Sequence, residues 1–150
     1  MMPMLQDYFD RLLFLHVDLR RAIEGLPPDA LDWSPGPQIN SIAVLAVHTA
    51  GAERYWIGDV IGQDPSGRVR EAEFQARGLA AAELIARLDA ALSHSQSVID
   101  RLTLADLDMK RTSPRDRREV SVAWALTHTL EHTAIHLGHM QLMRQLWEQR

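Results

Sequence analysis

Residues 120–148 read VSVAWALTHTLEHTAIHLGHMQLMRQLWE, with apolar positions recurring at the spacing of an α-helix. Within this stretch stand His128, His132, His136 and His139, at intervals of four, four and three. At roughly 100° per residue the four lie at about 0°, 40°, 80° and 20° around the helix axis, so they share one face. Ala125, Thr129, Met143 and Leu146 fall on the same arc, which predicts that the imidazoles point inward beside apolar neighbours rather than into solvent. Unpartnered polar rings are costly there. A bound cation offsets that cost, because neutral imidazole is a good ligand for borderline divalent metals. The chain has seven histidines in 150 residues, and four of them crowd into residues 128–139.

Working outward, three further helical patterns precede this one, over about 6–24, 42–61 and 79–102. The first carries Phe9, Leu12, Leu13, Leu19 and Ile23 on one side and stops at Gly25-Leu26-Pro27-Pro28. Residues 29–38, with Pro35 and Pro37, read as a surface connection in which Trp33 tucks against the helices. Asn40 or Ser41 offers an N-cap for the second helix, and Gly62, Pro65 and Gly67 end it. The third is Ala-rich and carries Leu84, Ile85, Leu88, Leu92, Val98 and Ile99. A basic loop with Lys110, Arg111, Arg115, Arg117 and Arg118 leads into the fourth. No segment alternates with period two. Four long amphipathic helices predict an all-α protein, a four-helix bundle forming a single domain over 1–150.

Composition narrows the chemistry. The chain has no cysteine, which excludes disulfides, thiolate metal sites and a cysteine nucleophile. A net charge of −4 argues against nucleic-acid binding as the main task. The basic loop is diluted by Asp116 and Glu119 and has no interleaved aromatic, so it reads as a solvated surface. Its arginines have one milder use, the recognition of carboxylates on an acidic thiol cofactor. Neither a secretory signal nor a membrane-spanning run is present in the sequence, and a soluble cytoplasmic protein is expected.

Spacing offers two candidate metal-ligand pairs on the fourth helix, His128 with His132 and His132 with His136, since residues four apart bring both imidazoles to one ion. On the second helix, His48 keeps company with Leu45, Ala52 and Trp56, all expected to face the core. It is a candidate third ligand, because bundle metal sites are assembled from facing helices. Three neutral imidazoles leave a coordination position open, as a catalytic site requires. Glu53 or Tyr55 could orient an imidazole from the second helix, and His128 and His139 suit a supporting or substrate-contacting role. Trp56, Met140 and Met143 either line a pocket beside the metal or form plain core. His16 either lines the same cavity or bonds a carbonyl in the core, and His94 is expected in solvent. Leu142, Leu146 and Trp147 suit either a dimer contact or packing on the first helix.

These residues resemble a known family. The stretch Leu130-Glu131-His132-Thr133-Ala134-Ile135-His136-Leu137-Gly138-His139-Met140-Gln141-Leu142, preceded by Asn40-Ser41-Ile42-Ala43 and His48, looks like the DinB/YfiT-like metalloenzyme superfamily. The Trp33-Ser34-Pro35 loop and the succession His48, Glu53, Tyr55, Trp56 extend the similarity over nearly the whole chain. The resemblance implies an up-down-down-up four-helix bundle, commonly dimeric, holding one zinc or nickel ion. By position its ligands would be His48, His132 and His136. Many relatives have Gln in place of His139, and some have Glu in place of His132. Characterised relatives use a low-molecular-weight thiol such as mycothiol or bacillithiol in S-transfer or isomerisation of small molecules. With no cysteine in the chain, the nucleophile would be that thiol or a water activated by the ion. The expected function is therefore a metal-dependent thiol S-transferase or isomerase. Its alternatives are a metal-dependent hydrolase and a non-enzymatic metal-binding, stress-response module.

Overall fold

In the computed structural model, which describes residues 1–150, helix α1 spans Pro3–Ile23. It begins earlier than its apolar pattern because Pro3 sits at the first turn, where its missing N–H costs no bond. Gly25, at φ 75°, takes the left-handed turn out of the helix. A short helix α2, Pro28–Asp32, follows within what reads as a surface connection. Trp33 beyond it packs edge-on against Trp147, with ring centroids 5.9 Å apart. Helix α3, Ile42–Glu53, is capped by Ser41, whose Oγ accepts from the Val44 N–H at 3.2 Å. The chain then runs as a π-helical segment, Arg54–Ile61, so the expected regular helix over 42–61 changes its winding midway. Tyr55, Trp56, Ile57 and Gly58 are all buried, a succession no one-sided surface helix would allow.

A short helix α4, Arg70–Glu73, interrupts the polar connection, and α5 spans Ala81–Ile99. After a single 3₁₀ turn at Leu104–Asp106, strands β1, Lys110–Thr112, and β2, Glu119–Ser121, pair antiparallel with Arg111 opposite Val120. The protein is thus mostly helical, with a small sheet that the all-α expectation omits. Three residues per strand are too few to print an alternating pattern. Helix α6, Val122–Glu148, is capped by Ser121, whose Oγ accepts from the Trp124 N–H at 3.1 Å.

The long segments α1, α3 with its π extension, α5 and α6 pack on one another and enclose two apolar clusters. Leu19 and Ile23 meet Ile42, Leu45, Leu84, Leu88, Leu137 and Met140 in one. Leu5, Phe9 and Leu12 meet Ile57, Val60, Ile99, Val122 and Leu126 in the other. Between them along each helix lie the buried polar residues His16, Glu53, Ser95, Thr129 and Thr133. No helix is long and apolar enough to cross a membrane.

Candidate metal centre

The first three residues of α3, Ile42-Ala43-Val44, are locked into the core and fix its register. His48, one and a half turns later, is buried and points at α6. There His132 and His136, four apart, reach back to it. The Nε2 atoms of His48 and His132 are 3.1 Å apart, as are those of His132 and His136. One ring nitrogen from each residue lies within 4.8 Å of the others, an arrangement that could hold a metal ion. The stripe is half open rather than fully inward: His132 and His136 are half-buried, His139 and Leu146 exposed.

His48 is held from behind. Its Nδ1 lies 2.8 Å from a Glu73 carboxylate oxygen, a group that accepts hydrogen bonds, and its Nε2 is aimed at the other two rings. Glu73 is in turn clamped by Arg68, Nε to Oε1 at 2.5 Å and Nη2 to Oε2 at 2.8 Å. Burial alone would push the Glu73 carboxyl up, but the hydrogen bonds from Arg68 and His48 outweigh it and hold it below its ordinary value. Burial, reinforced by the neighbouring His136, His48 and His128, lowers His132 to about 3. Burial, then His48 and His139, lowers His136 to about 4. Both rings are therefore neutral at ordinary pH, the state in which imidazole ligates metal.

The residues fit a divalent ion on their own geometry. A proton on His132 Nε2 can serve only one of its two 3.1 Å contacts, so the protein alone leaves one imidazole pair mismatched. His136 Nδ1 is buried without a partner. Donors around a tetrahedral zinc, about 2.0–2.1 Å from the ion, stand roughly 3.3 Å apart, close to the separation of the His48–His132 and His132–His136 pairs, and all three nitrogens lie within 4.8 Å of one another. Beside His136 a cavity of about 280 Å³ is lined by Gln38, Ile39, Asn40, Leu45, His139, Leu142 and Met143.

The other candidates fall into two groups. His128 adjoins the triad, its ring centroid 5.8 Å from that of His132, and it stacks on Trp124 at 4.8 Å. Trp56 meets His128 edge-on at 5.1 Å, and Arg118 lies over Trp124 at 4.5 Å, so a wall of aromatic rings runs on from the triad. His139 and Met143 line the cavity on the other side. Glu53 does not serve the triad: its carboxylate is taken by His16 Nε2 at 2.6 Å and Ser95 Oγ at 2.7 Å. The reason is rotation, since five residues from His48 carry Glu53 about 140° around α3. Tyr55 instead bonds Ser113 Oγ at 2.6 Å. His16 bonds a carboxylate rather than a carbonyl, and it lines none of the cavities described. His94 is half-buried, its Nε2 3.5 Å from Asp64, because the π segment brings it against Gly58. Glu73 and Arg68 are the site residues that the sequence reading missed. Their only signal was acidic and basic side chains in a polar connection.

A family model described as Mycothiol-S-transferase matches residues 4–149 of the chain. No curated protein matches it in sequence. Among solved structures, the "conserved protein of locus from Enterococcus faecalis" superimposes with a TM-score of 0.84 at 15% identity, covering 100% of both chains. At that identity the likeness is one of fold.

Proposed function

The chain belongs to the mycothiol-S-transferase family, a DinB/YfiT-like family, and from that premise we propose that it is a metal-dependent enzyme transferring the sulfur of a low-molecular-weight thiol to a small electrophile. The observation that carries this reading is the convergence of three imidazoles beside a cavity. His48, His132 and His136 would hold the ion, and their all-nitrogen donor set suits zinc or nickel. When bound, the ion supplies a positive charge beside which a thiol ionises readily.

The chain's own groups do the rest. With no cysteine available, the sulfur nucleophile arrives from outside, mycothiol being the thiol the family description indicates. The sulfur–hydrogen bond breaks as the sulfur–carbon bond forms, and the electrophile's leaving group departs with its electron pair. We propose that His139, which lines the cavity and is exposed, takes the thiol proton on its ring. Ile39, Leu45, Leu142 and Met143 keep that cavity largely apolar, while Gln38 and Asn40 offer hydrogen bonds to a polar ligand. Trp124 and His128, stacked on one another and backed by the buried Trp56 edge-on, supply aromatic surface on the far side of the triad for the electrophile. An up-down-down-up four-helix bundle is supported by the pairing in the two apolar clusters, where the start of α1 meets the end of α5 and the start of α6. We infer a homodimer from the family resemblance.

The test is direct. Protein purified without chelators and reloaded with zinc or nickel should hold about one ion per chain, by elemental analysis. That material should conjugate mycothiol to monochlorobimane faster than the chelated protein does. Absence of stoichiometric metal overturns the reading. Metal without conjugation leaves a metal-binding module in its place.

A further inference from the structure

Glu73 lies 25 residues from His48 in the chain, on a helix of four residues, yet its carboxylate is buried against the His48 ring. Three features hold it there. Arg68 grips both carboxylate oxygens. Arg68 itself is laid over the Tyr55 ring, 5.5 Å from its centroid, so the clamp is seated on the π segment. The third is Gly51. A Cβ built at that position would collide with the Glu73 carboxylate and come within 3.3 Å of Arg68 Nε. Gly51 stands in the interior of α3, where Ala would be favoured by about 1 kcal/mol as a helix former. Its φ is not in the left-handed region, so no backbone demand explains it. What it provides is room.

We propose that Glu73 is the positioning residue for His48, and that the glycine at 51 is the seat that lets its carboxylate reach Nδ1. The proposal rests on the reading of the triad as a metal site. A carboxylate accepting from Nδ1–H fixes the tautomer, turns the ring so that Nε2 faces His132, and makes that nitrogen a stronger donor. His132 and His136 have no such partner: His136 Nδ1 is buried and unbonded. His48 is thus the one anchored ring of the three, and the other two are brought to it by α6.

Two measurements on the full chain test this: zinc affinity by competition with a chromophoric chelator, and the ring ¹⁵N shifts of His48 in metal-free protein. Glu73→Ala and Gly51→Ala should each weaken zinc binding about 10- to 100-fold, and Glu73→Gln, which keeps an acceptor without the charge, by less. Gly51→Ala separates positioning from stability. The atoms it displaces are the ends of flexible side chains, so helix content by circular dichroism should hold while zinc affinity falls. Metal-free wild type should carry the His48 proton on Nδ1, and Glu73→Ala should show a mixture of tautomers. Unchanged zinc affinity in both alanine variants overturns the proposal, as does a wild-type His48 protonated on Nε2. Failure of wild type to bind zinc at all is a separate result: it removes the metal reading, and the tautomer still decides whether Glu73 orients the ring.

Discussion

His16 and His48 each face a buried glutamate, Glu53 at 2.6 Å and Glu73 at 2.8 Å, but the two pairs are built for different ends. The first is closed. Glu53 is shared with Ser95, and α1, α3 and α5 wrap the pair so that the His16 and Glu53 side chains are 4% and 0% exposed. No second imidazole approaches His16. The second pair is one-sided. Glu73 takes the outer nitrogen of His48, and the inner nitrogen meets two more rings at the edge of a cavity. A histidine bonded to a carboxylate is therefore not in itself a functional site. What separates the two regions is a set of converging nitrogens that the protein leaves without complementary partners.

The sharpest way to break that contrast is to remove the ring common to both short contacts. His132→Ala should abolish stoichiometric zinc or nickel loading, because it takes away the imidazole bridging His48 and His136. His16→Ala should leave loading at one ion per chain. Elemental analysis of the two variants after identical reloading reads this directly. Equal loading would mean that the triad is as inert as the closed pair.

The next effect runs the other way. Glu53→Ala strips the acceptor from His16 and from the buried Ser95 hydroxyl. Breaking a buried, hydrogen-bonded pair by deleting one partner costs about 3 kcal/mol. Urea unfolding should show a loss of that order with zinc affinity little changed in the folded protein. A fall in metal affinity comparable to that of Glu73→Ala would instead join the two regions into one network.

How much of this was written in the sequence depends on distance along the chain. The stripe His128, His132, His136, His139 is legible because a helix places positions three and four apart on one face, and α6 is long enough to make the period plain. His48 is legible because it interrupts an apolar run whose neighbours are core. Glu53 was legible only as one of two candidates, with Tyr55, to orient an imidazole, and which imidazole it meets was not. The turn of α3 aims it at His16, and only helix packing reveals that. Glu73 was not legible, since Arg70-Glu71-Ala72-Glu73 has the composition of any solvated segment. Its burial follows from the long-range clamp with Arg68 and the space at Gly51. The hairpin escaped for a different reason. Strands of three residues carry no period, and the pairing is stabilised from outside by Tyr55.

That last contact gives the smallest prediction and sharpens the comparison at its edge. The Tyr55 hydroxyl pairs with Ser113 Oγ at 2.6 Å and accepts from the Arg115 N–H at 3.1 Å, tying the loop between the strands to the π segment. The same loop carries Arg118, which lies over Trp124 and Trp56 beside the triad. Tyr55→Phe keeps the ring beneath Arg68 and deletes only the hydroxyl. The expected cost is about 1 kcal/mol, the ordinary worth of such a bond, because Asp116 remains to pair with Ser113. Hydrogen exchange should quicken at the Arg115 amide and stay unchanged along α1 and α5 around the closed pair. Zinc affinity should hold, since Glu73, Arg68 and Gly51 are untouched. The open region would then consist of two parts, a metal cradle anchored through Glu73 and a wall whose order depends on Tyr55. If loosening the loop also weakened zinc binding, cradle and wall would have to be treated as one unit, with Arg68 over Tyr55 as the link between them.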